Sequence, residues 1–182
     1  EMHDAHVLIV DDEPANLELL RQLFDLHGAR VSQATDGETA LKLARELRPD
    51  LVLLDVVMPG MDGYEVCRRL KSEEDTRRLP VVMVTGLGAL DDKIKGLDAG
   101  ADDFLSKPVN AAELLTRSRS LLRVKDLNDE LEGAYHRLAE IASYTNSLLS
   151  RFDPYRFDVG ASLHELMEFL LGPGEKSRAR PQ

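Results

Sequence analysis

In Leu51-Val52-Leu53-Leu54-Asp55-Val56-Val57-Met58-Pro59-Gly60-Met61-Asp62-Gly63, four consecutive apolar residues run directly into a carboxylate. An apolar run without polar alternation suits a strand buried on both faces, as in a parallel sheet. Working outward from residues 51–55, similar short runs occupy 6–10, 29–34, 80–85 and 103–107. Helical periodicity fills the gaps at 14–27, 37–47, 63–72 and 91–99, with a further helix starting near Asn110. Pro14 suits the first turn of its helix, and Asp36 before Gly37 suits an N-cap. Strict alternation of strand and helix predicts an α/β domain: a doubly wound parallel sheet of five strands with right-handed crossovers on both faces.

In such sheets ligands bind outside the carboxyl ends of the strands. Asp11 and Asp12 end the first strand, Asp55 the third, Thr85 the fourth and Lys107 the fifth. Crowded carboxylates either raise a pKa or recruit a cation, and Mg²⁺, which takes oxygen ligands and keeps several waters, meets that need. Asp12 and Asp55 are the expected direct ligands, Asp11 acts through water, and the carbonyl of Val57 supplies a further oxygen. With its charge offset, Asp55 becomes a nucleophile towards phosphorus, while Lys107 and the Thr85 hydroxyl stabilise the phosphoryl oxygens. Gly86 leaves room for the phosphoryl group beside Thr85.

Four segments carry a family resemblance: Val10-Asp11-Asp12-Glu13, the run from Leu53 to Gly63, Val84-Thr85-Gly86, and Gly100-Ala101-Asp102-Asp103-Phe104-Leu105-Ser106-Lys107-Pro108. Together, over nearly all of residues 5–123, they resemble the receiver domain of two-component response regulators. The resemblance implies a flavodoxin-like strand order 2-1-3-4-5 and a phosphohistidine donor on a sensor histidine kinase or phosphotransfer protein. It implies a cis bond between Lys107 and Pro108, with Phe104 as an aromatic switch that turns inward as Thr85 moves. The surface of the fourth helix, fifth strand and fifth helix is then where the change is read. Val57 and Leu87 flank the approach of a hydrolytic water, and neither side chain orients one, so a long-lived phosphorylated state is expected.

Beyond the receiver, expected to span residues 1–123, the apolar period changes to a heptad series. Leu121, Val124, Asn128, Leu131, Tyr135, Leu138, Ala142, Thr145, Leu149 and Phe152 alternate by three and four, the a/d pattern of a coiled coil. Leu127, Ala134, Ile141 and Leu148 widen the stripe at g. This predicts a helix of roughly 40 residues, on the order of 60 Å long, with 124–152 pairing in a parallel homodimer and Asn128 favouring one register. Asp153-Pro154 breaks the helix, and a short helix at 162–171 carrying Leu163, Leu166, Met167 and Leu170 is expected to cover the spare stripe. Gly172-Pro173-Gly174 and the tail read as linker, which favours an output domain beyond Gln182 over a complete adaptor or a hybrid-kinase receiver. His136 and His164 lack a convincing phosphoacceptor motif.

A net charge of −10 over 182 residues argues against nucleic acid as partner, and no basic reading helix follows residue 123. A phosphomonoesterase of this fold needs a general acid two residues after the nucleophile, where Val57 stands. The single Cys67 precludes an internal disulfide, and no apolar run reaches membrane length. The balance predicts a cytoplasmic phosphoacceptor switch with no membrane partner, which is not an enzyme beyond catalysing its own phosphorylation and dephosphorylation.

Overall fold

The computed structural model describes residues 2–86 and 90–152. In chain order it contains β1 (His6–Val10), α1 (Pro14–Leu26), β2 (Arg30–Ala34), α2 (Gly37–Leu47), β3 (Leu51–Asp55), α3 (Gly63–Ser72), β4 (Val81–Thr85), α4 (Leu90–Asp98), β5 (Asp103–Ser106) and α5 (Ala111–Phe152). All strand pairs are parallel, and the order is β2-β1-β3-β4-β5. This is the doubly wound parallel sheet that the strand and helix alternation predicts, in the flavodoxin-like order that the family resemblance implies. Leu87, the proposed helix at 162–171, His164 and the tail lie outside the described residues.

The all-apolar strand pattern holds where neighbours exist on both sides. β3 and β4 are buried along their whole length and β1 is buried from Val7 onward. β2 differs: Arg30, Val31, Ser32 and Gln33 are exposed or half-buried, because this strand closes one edge of the sheet. Alternate residues of the central strands feed two cores. Leu8, Val10, Val52, Leu54, Val81 and Met83 pack with Ala40, Leu41 and Ala44 of α2 and Val66, Cys67 and Leu70 of α3. Val7, Ile9, Leu51, Leu53, Val82 and Val84 pack with Leu17, Leu20 and Phe24 of α1 and Leu114, Leu115 and Leu122 of α5. Each Val, Leu, Ile, Phe or Met side chain among them, fully buried, contributes roughly 1.5–3 kcal/mol. Cys67 is a free, buried thiol, and burial pushes its pKa up to about 11.

Element ends follow their hydrogen bonds. Asp36 caps α2, its Oδ1 accepting from the Thr39 N–H at 2.8 Å, and Asp62 caps α3 by accepting from the Glu65 N–H at 2.8 Å. Asn110 stands just before α5, and its Oδ1 accepts from the Glu113 N–H at 3.0 Å. β5 stops at Ser106 rather than at Lys107, although the Lys107 N–H still donates to the Thr85 carbonyl at 2.7 Å. Lys107 therefore leaves the sheet while staying tethered to its edge.

Two compact units divide the chain, Glu1–Leu127 and Asn128–Gln182. In the first, Leu121 is half-buried against the core and Val124 is exposed. In the second, the exposed large apolar side chains of α5 are Leu131, Tyr135, Leu138, Ile141, Tyr144 and Leu148. Ala142, Thr145 and Leu149 are half-buried. The exposed apolar side chains thus fall at Leu131, Tyr135 and Leu138 of the a/d series and at Ile141 and Leu148 of the g series. Among the described residues no helix is long and apolar enough to cross a membrane.

Candidate functional site

The carboxyl edge of the sheet gathers side chains from five segments. β1 runs straight into Asp11 and Asp12, and Pro14 starts α1 immediately after, so the chain turns sharply away and leaves both carboxylates at the edge. β3 ends on Asp55, and Gly63 at the start of α3 packs against the Asp55 and Val56 backbone. The carboxylates of Asp11, Asp12 and Asp55 each place an oxygen within 4.8 Å of the others. Asp11 and Asp55 are buried, whereas Asp12 is exposed.

Lys107 reaches into this cluster from the opposite side. Its Nζ lies 3.1 Å from Asp55 Oδ1 and 3.3 Å from Asp11 Oδ2. Burial alone pushes the Lys107 pKa down, but the hydrogen bond to Asp55 and the charges of Asp55 and Asp11 outweigh it and hold the ammonium above its ordinary value. Asp55 shifts upward: burial is the main cause, the charge of Asp11 adds to it, and the bonds from Lys107 and the Val57 N–H oppose it. One lysine thus faces three carboxylates. Hard oxygen donors with an uncompensated negative charge and one solvent-facing member fit a hydrated Mg²⁺.

Thr85 is buried at the end of β4, next to Gly86, and a Cβ placed on Gly86 meets nothing within 4 Å. An open cavity of about 600 Å³ joins Asp11, Asp55, Gly86 and Lys107 to Asn16 of α1 and Val109. The Lys107–Pro108 peptide is cis. Val57 points outward, 58% exposed, with its N–H committed to Asp55.

Phe104 sits apart from this cluster. Its half-buried ring packs against the core beneath α3 and lies on the backbone of α4, where a Cβ on Gly96 would fall 1.7 Å from the ring. The sequence reading missed this receptacle, and it missed Asn16. The Asn16 Nδ2 donates to Asp11 Oδ2 at 3.0 Å and to Glu13 Oε2 at 3.1 Å. A usable signal was there: Pro14 sets the start of α1, so position 16 lies in the first turn, beside the two aspartates.

An acidic cluster bridged by a lysine at the carboxyl edge of a 2-1-3-4-5 sheet is the architecture of receiver domains. Residues 7–119 match the response regulator receiver domain, and the chain belongs to that family. It is 48% identical over 141 residues to the response regulator PleD of Caulobacter vibrioides, covering 76% of this chain and 31% of that protein. It is 47% identical over 120 residues to RpaA of Synechocystis, covering 66% of this chain and 50% of that one. Similarity to MprA of Mycobacterium ulcerans is 45% over 126 residues, 69% of this chain and 53% of the relative. The chain thus spans about a third to a half of these relatives' lengths. Among solved structures, the receiver domain of a histidine kinase from Syntrophus aciditrophicus superposes with TM-score 0.62 at 37% identity, covering 65% of this chain and 90% of that one. CheY4 of Vibrio cholerae gives TM-score 0.62 at 30% identity, covering 65% and 98%.

Proposed function

We propose that Asp55 is the phosphoacceptor, taking a phosphoryl group from a phosphohistidine on a sensor histidine kinase or phosphotransfer protein. An Asp55 carboxylate oxygen forms the new bond to phosphorus, the bond from phosphorus to the donor imidazole nitrogen breaks, and its electron pair stays with the imidazole. Lys107, already within reach of Asp55, meets the charge on the phosphoryl oxygens, and Thr85 donates its hydroxyl to one of them. Asp12, Asp55 and the Val57 carbonyl are the residues suited to hold Mg²⁺, with Asp11 behind them, and the ion supplies the charge that lets an anionic nucleophile approach an anionic phosphoryl group. The observation that carries this reading is the lysine bridge between Asp55 and Asp11 inside a cluster that keeps surplus negative charge. Incubation with acetyl phosphate should load one phosphoryl group per chain when Mg²⁺ is present and none when it is chelated. Loading that ignores chelation overturns the assignment.

Signal readout falls to α4, β5 and α5, with Phe104 on β5 and Gly96 on α4 as the movable contact. The relatives share this receiver portion, while RpaA is described as a DNA-binding regulator and PleD only as a response regulator, so the output is carried by what lies outside the shared part. The acidic balance of this chain favours a cytoplasmic relay to a protein partner or a following domain over direct DNA contact.

The stripe Leu131, Leu138, Ile141 and Leu148 supports a parallel homodimer through α5. Light scattering at micromolar concentration should give twice the chain mass, falling to one chain in Ile141→Asp. A wild-type monomer removes the dimer.

A further inference from the structure

Asp11 and Asp12 are adjacent in sequence but unequal in structure. Asp11 is 3% exposed, and three donors occupy its oxygens: the Glu13 N–H on Oδ1 at 2.8 Å, and on Oδ2 the Asn16 amide at 3.0 Å and Lys107 at 3.3 Å. Asp12 is exposed and makes no hydrogen bond or ion pair among the described residues. An ionised carboxylate offers about four acceptor sites, so Asp11 has little left to give a metal while Asp12 has everything.

Asn16 creates much of that difference. Carboxylates only accept, so the end of its carboxamide that faces Asp11 and Glu13 must be the NH₂, and both of its hydrogens are used. Glu13 stands at the N-cap position with no side-chain cap bond, and Asn16 draws its carboxylate aside instead.

We infer that Asn16 is a positioning residue that pins Asp11 as the partner of Lys107 and thereby leaves Asp12, with Asp55, to grip the cation. The inference rests on the phosphoacceptor reading and names the residue that divides labour within it. Outer partners of metal ligands, when removed, typically lower metal affinity by about 10–100-fold.

Calorimetric titration of the whole chain with Mg²⁺ tests it. Asn16→Ala should raise the dissociation constant about tenfold, in a variant whose cooperative melting in chelated buffer shows it folded. In an Asp11→Asn background the same change should cost less than about twofold, because the group through which Asn16 acts is already altered. An Asn16→Ala constant within about twofold of wild type, or an equal loss in both backgrounds, overturns the inference. Failure of the wild type to bind Mg²⁺ is a different result, since it removes the phosphoacceptor reading itself.

Discussion

Asp55→Asn is expected to take up no phosphoryl group and, in chelated buffer at neutral pH, to melt at a higher temperature than the wild type. The second half follows from the charge balance. Burial, aided by the charge of Asp11, raises the Asp55 pKa in spite of Lys107 and the Val57 N–H. A carboxyl whose folded-state pKa is raised contributes its stability below its unfolded pKa and loses that contribution as pH rises through the folded value. At neutral pH the ionised side chain therefore destabilises the metal-free protein, and the neutral amide removes that burden. The gap between variant and wild type should close as the pH falls into the ordinary carboxylate range. Mg²⁺ reverses the ranking: at 100 times its dissociation constant it adds about 2.7 kcal/mol to the wild type, roughly 10 °C in midpoint for a domain of this size, and far less to the variant. Melting curves between pH 4 and 8, with chelator or Mg²⁺, measure both effects. A variant that melts below the wild type at neutral pH without metal, or that still carries the phosphoryl group, contradicts the placement of Asp55.

The parts of this architecture that were legible in the sequence are those governed by local periodicity. Leu51–Asp55 and Val81–Thr85 are buried along their whole length, so burial wrote itself into consecutive apolar letters. Residues 29–34 were read as one more apolar run, but an edge strand with Arg30, Ser32 and Gln33 exposed or half-buried carries no such signature. The acidic cluster was legible because each member ends a strand. Asn16 was not, because a polar residue in a helix's first turn reads as solvated until the path of α1 aims it at Asp11 and Glu13. Gly96 was opaque for a similar reason: its close approach to Phe104 joins two elements whose facing is set by the whole sheet. In α5 the period was plain, but two overlapping heptad registers share the d positions.

Gly63→Ala is expected to destabilise the protein by about 2–3 kcal/mol and to reduce phosphoryl loading, against what helix propensity alone predicts. Alanine in place of glycine favours a helix by up to about 1 kcal/mol, and Gly63 is the first residue of α3. A Cβ at this position would lie 2.2 Å from the Asp55 carbonyl oxygen and 2.9 Å from the Val56 Cα. Both obstacles are backbone, so no rotamer change relieves them. The Gly63 N–H also donates to the Val56 carbonyl at 2.9 Å, holding α3 against the end of β3. Relief requires α3 and the Asp55–Val57 segment to part, which moves the nucleophile and the N–H that Val57 gives to it. Steric cost therefore exceeds propensity gain, and it falls on the phosphoacceptor. Gly60→Ala is the matched control: its φ of +77° is unfavourable for alanine, but nothing lies within 4 Å of its Cβ, so it should cost about 1–2 kcal/mol and leave loading intact. Denaturant unfolding and acetyl phosphate loading of the two variants separate the cases. If Gly63→Ala loads as well as Gly60→Ala, the backbone contact between α3 and β3 does not position Asp55.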